Sequence, residues 1–267
     1  MPLTDRASRE LRARRLRDLA RVRRWAPVFG GADIARLHSY DLVVLDCVGD
    51  RDGSEISAAD LATLHSSGVL VLSYLSVGTV EAWRAYAKLV PRSWTLADVK
   101  DWPDERYVDA REPGWQAIME TEARRLEACG LDGLYLDNLD VAEDFPSTRQ
   151  GVIELVRRLR AAVPEMLLIA QNGLAIADEL PIDAISHEDA FWRWDDGYRP
   201  SSVEETKAIV SRLRHLHARG LPVLTLDYTP AGSDAAGDVV ARSLAEGFIP
   251  AVSVLALDRA PHAGPER

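Results

Sequence analysis

Acidic residues recur in this sequence wherever an apolar run gives out, and the two that could do chemistry together are Asp137 and Glu188. Asp137 closes the stretch Asp132-Gly-Leu-Tyr-Leu-Asp-Asn138. Successive side chains of a strand point to opposite faces, so Leu134 and Leu136 share one face while Gly133, Tyr135 and Asp137 share the other. In the run from Ala184 to Glu188, Ala184, Ser186 and Glu188 fall on one side, with Ile185 and His187 on the other. Two carboxylates facing each other across a cleft can hydrolyse a glycosidic bond, one as proton donor and the other as nucleophile or base. The competing reading makes them helix caps or members of salt bridges, because acids after strands often serve that way.

The elements that must position this pair follow a strand-then-helix rhythm. Apolar runs at 41–48, 69–77, 107–109, 132–138, 166–171, 184–187, 223–226 and 249–255 read as eight strands. Helical patterns at 57–68, 79–87, 114–129, 147–163, 203–219 and 234–246, with a short one at 174–179, lie between them. Parallel neighbours need crossovers, and eight such units imply closure into a single (β/α)8 barrel, with Asp137 at the end of the fourth strand and Glu188 at the end of the sixth. A doubly wound open sheet competes, but the turn Val48-Gly-Asp-Arg-Asp-Gly53 has neither dinucleotide nor phosphate-loop spacing.

Barrels keep their chemistry at the carboxyl ends of the strands. Those positions hold Asp46, Ser76, Asp109, Asp137 with Asn138 and Asp140, Gln171 with Asn172, Glu188 with Asp189, and Asp227 with Tyr228. Taken singly, Asp46, Asp109, Asp189 and Asp227 also read as caps or turn residues. Tyr74, Tyr135, Trp192, Trp194 and Tyr228 lie in the same segments and could pack against sugar rings; Trp192 and Trp194 stand out as a lid. His187 should face the outer helices and read as structural.

The 267 residues are 47% hydrophobic and 28% charged, which suits a globular chain. Residues 1–30 carry nine Arg against three acids, whereas the remainder carries 23 Lys and Arg against 39 acids. A basic helical leader (1–30) thus precedes an acidic barrel domain (31–267). The acidic body disfavours nucleic acid, which needs a basic surface. Cys47 and Cys129 sit in apolar elements and read as small buried hydrophobes. No zinc spacing, apolar signal core or membrane-length apolar run occurs, so the expectation is no cofactor or metal, no membrane span and a cytoplasmic location, or secretion if the start is incomplete.

The ordered series Tyr74-Leu-Ser-Val-Gly-Thr-Val-Glu-Ala-Trp-Arg84, Trp102-Pro, Tyr107-Val-Asp-Ala-Arg111, Asp132 to Asn138 and His187-Glu-Asp-Ala-Phe191 resembles glycoside hydrolase family 114, the endo-α-1,4-polygalactosaminidase-like barrels. The resemblance runs from about Tyr40 to Arg259. It implies a (β/α)8 fold and hydrolysis of an α-1,4-linked polymer rich in galactosamine, with Asp137 as nucleophile and Glu188 as acid/base. Asp46, Tyr74, Asp109, Tyr135, Asn138, Asp140, Asn172, Asp189, Trp192, Asp227 and Tyr228 are then expected to bind the carbohydrate, the acids by pairing with its amines. Two other readings stay open: a catalytically idle carbohydrate-binding or scaffold barrel, and a mouth in which Asp137, Asn138, Asp140 and Asp109 hold a hard cation such as Mg²⁺. Oligomeric state is not legible.

Overall fold

A computed structural model describes residues 3–29, 33–47 and 56–261; the turn Val48 to Gly53 and His262 fall outside them. Eight parallel strands make one sheet in chain order: Trp25–Val28, Leu42–Leu45, Leu70–Ser76, Gly133–Asp137, Leu167–Gln171, Ala184–Glu188, Val223–Tyr228 and Ile249–Ser253. The ends of the sheet meet, where the Trp25 indole donates to the Ile249 carbonyl at 3.0 Å and the Phe29 N–H to the Leu257 carbonyl at 2.7 Å. The result is a nearly closed (β/α)8 barrel.

Two-residue alternation builds two cores from these strands. Leu42, Val44, Leu70, Leu72, Tyr74, Tyr135, Leu167, Ile169, Leu224 and Leu226 pack inside the barrel. Val43, Val71, Leu134, Leu136, Leu168, Ala170 and Ile185 face outward against the helices, with Trp115, Met119, Leu155, Leu159, Leu213 and Val239. The helices start where their sequences say they should. Ser57 accepts from Asp60 N–H, and Ser202 and Glu205 form a reciprocal capping box at the head of Val203–Ala218.

The basic leader folds as a helix, Leu3–Leu19, across the amino-terminal end of the barrel. Leu19 and Val22 plug the interior core from below. Arg12 pairs with Asp183 at 2.6 Å; Arg15 pairs with buried Asp132 at 3.1 Å and donates to the Leu131 carbonyl. Asp132 also accepts from Val71 N–H and contacts His65 Nε2 at 2.9 Å. The first residue of the central motif is therefore a floor anchor, and the last faces the mouth.

Four sequence-based expectations are corrected. The first barrel strand is Trp25–Val28, inside the residues assigned to the leader. The 79–87 stretch is not a helix: Thr79–Glu81 is a strand, paired with Glu105–Val108, which pairs in turn with Thr95–Asp98. This antiparallel sheet rises between the third strand and the helix Pro113–Ala128, so the run at 107–109 belongs to it and not to the barrel. Cys129 is exposed just past that helix; Cys47 is buried as expected. No helix among the described residues is long and apolar enough to cross a membrane.

Candidate active site

Asp137 and Glu188 end the fourth and sixth barrel strands and open into one cleft of about 600 Å³ at the carboxyl end of the barrel. Their inward direction follows from the strands beneath them, since Tyr135 and Ala184, two and four residues earlier, both lie in the interior core. Each acid is followed by a residue with left-handed backbone, Asn138 at φ 60° and Asp189 at φ 60°, and Asn172 at φ 59° does the same after the fifth strand. Asn and Asp tolerate this conformation better than other residues with a Cβ. The turn folds each short polar side chain back over the mouth. Asn138 Nδ2 donates to Ser76 Oγ at 2.9 Å, and Asn172 Nδ2 donates to Glu188 Oε1 at 2.8 Å.

Each carboxylate is held by a phenol. Tyr228 donates to Glu188 Oε2 at 2.8 Å, and Tyr74 hydrogen-bonds Asp137, which also accepts from the Asn138 N–H. Burial raises the hydroxyl pKa of Tyr74 and Tyr228, so both stay protonated donors. Deeper in the barrel, Tyr135 donates to Gln171 Oε1 at 2.5 Å and meets Ser186 Oγ at 2.9 Å. That network fills the floor under the two acids.

Burial, then the charges of Glu188 and Asp140, push the Asp137 carboxyl well above the ordinary carboxylate range. The same causes act on its neighbours. Burial and Glu188 raise Asp140 to about 7 and Asp189 to about 8. The described lining carries ten carboxylates, among them Asp46, Glu81, Asp101, Glu105, Asp195 and Asp196, against only Lys100 and Arg193. Such a surface holds protons and attracts cations.

Of the residues the sequence pointed to, Asp46, Tyr74, Tyr135, Asn138, Asp140, Asn172, Asp189 and Tyr228 line the cleft with the two acids. Three do not. Asp109 turns away, clamped by Arg111 through both carboxylate oxygens, which also leaves the cation reading without one of its ligands. Among the described residues, no group of three or more His, Cys, Asp or Glu is arranged to hold a metal. Asp227 is fully buried on the outward face of its strand, where it accepts from the N–H groups of Phe191 and Trp192 at 2.6 and 2.8 Å; burial still raises it to about 7. Leu224, Leu226 and Tyr228 take the inward positions, a register readable from the sequence. Trp192 packs on the outer core, and Trp194 lines the cleft in its place. His187 is absent from the cleft lining, and burial lowers its ring pKa to about 4.

Sequence reasoning missed the group under Asp46. Arg84, 3% exposed, grips Asp46 at 2.8 and 2.9 Å and Glu81 at 2.5 and 3.0 Å, with the Tyr74 ring centroid 5.7 Å from its guanidinium carbon. Asp46 therefore reaches the cleft already paired. The three residues are far apart in sequence or belong to a stretch that reads as a helix; only the fold joins them.

An α/β barrel with two inward carboxylates at the ends of its fourth and sixth strands, each seated in hydroxyl and amide donors, has the arrangement that glycoside hydrolysis calls for. The chain belongs to glycoside-hydrolase family GH114, whose model matches residues 14–263. It is similar to the glycoside hydrolase domain of PelA from Pseudomonas aeruginosa, with a TM-score of 0.79 and 27% identity over 88% of this chain and 96% of that one. The galactosamine complex of Ega3 from Aspergillus fumigatus shares the fold, with a TM-score of 0.74 and 16% identity over 90% and 94% of the two chains. An uncharacterized protein of Deinococcus radiodurans is 28% identical over 90% of this chain and 83% of its own length.

Proposed function

We propose that this glycoside hydrolase cleaves internal α-1,4 linkages of a galactosamine-rich polysaccharide by a retaining mechanism, with Asp137 as nucleophile and Glu188 as acid/base. The observation that carries the reading is the pair itself, opening into a cleft whose described lining has ten carboxylates and two cations. A polymer of free amino sugars is cationic, and charge-assisted bonds to Asp140 and Asp189 would hold its ammonium groups. Ega3, a barrel of the same fold, is a galactosamine complex.

Glu188 gives its proton to the glycosidic oxygen as Asp137 attacks the anomeric carbon, forming a covalent glycosyl ester and freeing the leaving chain. Glu188 then takes a proton from the water that hydrolyses the ester, and Asp137 leaves as a carboxylate. Burial and the charges of Glu188 and Asp140 raise the Asp137 carboxyl pKa in the empty cleft. Ammonium groups arriving beside it would favour the carboxylate, to which Tyr74 and the Asn138 N–H donate hydrogen bonds. Release of reducing ends from de-acetylated α-1,4-galactosamine polymer tests the reading. Asp137→Asn and Glu188→Gln should remain folded and lose hydrolysis, and the first-formed product should keep the α-anomer. Full activity in either variant removes its residue from the assigned role; binding without cleavage by the native chain would make the barrel a carbohydrate-binding module.

A further inference from the structure

Two antiparallel hairpins stand on the rim of the barrel. One joins Thr95–Asp98 to Glu105–Val108 after the third barrel strand; the other joins Trp192–Trp194 to Tyr198–Pro200 after the sixth. Both tips line the cleft, the first through Lys100 and the second through Asp195. The first tip is a tight turn, closed by the Glu105 N–H to the Trp102 carbonyl at 2.9 Å and the Val99 N–H to the Glu105 carbonyl at 3.1 Å. It presents Lys100, Asp101 and Trp102 to the cleft.

Trp102 is the feature that packing does not explain. It is 50% exposed, whereas Trp25 and Trp115 are at most 1% exposed. Trp102 lines the cleft that also holds the two acids, as does Trp194 from the second hairpin. Trp194 packs against the interior core, beside the segment that brings Tyr228 to Glu188, so it belongs to the inner part of the site. Trp102 rises from a different element, farther along the rim.

We propose that the tip Val99 to Asp104 is a second sugar-binding platform, outside the carboxylate pair, in which Trp102 stacks on one ring of an amino-sugar chain and Asp101 pairs with its ammonium. The inference rests on the amino-sugar reading of the substrate. An indole suits both parts of such a ring, because its face accepts the apolar C–H surface of a sugar and is the best aromatic partner for a cation. The platform would grip chain that extends beyond the cleaved linkage, giving long chains an advantage over short ones.

The test compares the native chain with Trp102→Ala and Trp102→Phe on α-1,4-galactosamine disaccharide and on long oligomers of the same linkage. With long oligomers, Trp102→Ala should raise KM roughly three- to tenfold with kcat unchanged, while Trp102→Phe recovers part of the loss. Disaccharide kinetics should not change. Calorimetric binding of the long oligomer to Asp137→Asn, with and without Trp102→Ala, separates the platform from the chemistry: a Trp102-dependent affinity without any hydrolysis in the native chain would retain the platform and remove the hydrolase reading. Equal KM for native and Trp102→Ala chains on long oligomers, an equal loss on the disaccharide, or no binding of either ligand overturns the proposal.

Discussion

The Tyr228 hydroxyl donates to Glu188 Oε2 at 2.8 Å, while Asn172 Nδ2 holds the other oxygen at the same distance. Both oxygens of the proposed acid/base are thus fixed from neighbouring barrel strands, and the carboxyl plane is set before any substrate arrives. Positioning of this kind reduces the reorganisation left for the reaction itself.

Tyr228→Phe removes one of these donors and keeps the ring that packs inside the barrel. A hydrogen bond to a charged group contributes about 1.5–3 kcal/mol. If that contribution is realised in the transition state, kcat falls by roughly ten- to a hundredfold. Thermal unfolding should move little, because the apolar packing is unchanged. Steady-state kinetics beside a melting curve checks both parts, and an unchanged kcat would show that Asn172 alone orients the carboxyl.

Asp189 is held where its charge is unwelcome. One of its buried oxygens, Oδ1, has no partner, and burial with Glu188 nearby raises its pKa from the ordinary 3.8 to about 8. Between those values the folded chain keeps a proton that the unfolded chain has released, so this group lowers stability progressively as pH rises, most fully above 8. Asp189→Asn removes the ionisable group without changing its size. Denaturant titrations should find the variant more stable than the native chain at pH 9, on the order of 2 kcal/mol, with the difference closing towards pH 4. A difference independent of pH would assign the effect to packing.

The barrel was legible because its strands are long apolar runs, and the inward direction of Asp137 and Glu188 followed from alternation alone. Their ordinals came out right through two offsetting misreadings. Trp25–Val28 is four residues long, contains Pro27 and sits behind an Arg-rich helix, so it carries little strand signal. The strand near Tyr107 was counted in its place, although it pairs with Thr79–Glu81 and Thr95–Asp98 in the rim sheet. Local patterning cannot tell which sheet a short strand joins. Asp109 shows a related limit at the site. A strand-end acid reads alike whether it faces a cleft or an arginine two residues on, whereas the outward position of Asp227, under the backbone N–H groups of the next loop, lies in the alternation of its strand. The Arg84 group under Asp46 needed the fold, because nothing in the sequence brings Asp46 to Glu81 and Arg84.

Gly78 marks where the rim sheet leaves the barrel and passes Asn138. A Cβ there would sit 2.0 Å from the Asn138 carbonyl oxygen and 2.9 Å from its Cβ, far inside contact distance and against backbone that cannot swing away. The same segment receives the Asp137 carbonyl through the Val77 N–H at 3.0 Å and accepts the Asn138 amide on Ser76 Oγ at 2.9 Å. Gly78→Ala must therefore displace the turn after the fourth strand, and Asp137 with it. Displacement of a reacting group by about 1 Å can cost on the order of a hundredfold in rate. Hydrolysis by Gly78→Ala should fall by about that factor, mainly in kcat, while circular dichroism shows the barrel intact. Ser76→Ala, which removes the hydrogen bond from Asn138 and those between Ser76 Oγ and Thr79 without adding an atom, should lose much less. Equal losses in the two variants would mean that the hydrogen bond, and not the close approach of the backbones, sets the position of Asp137.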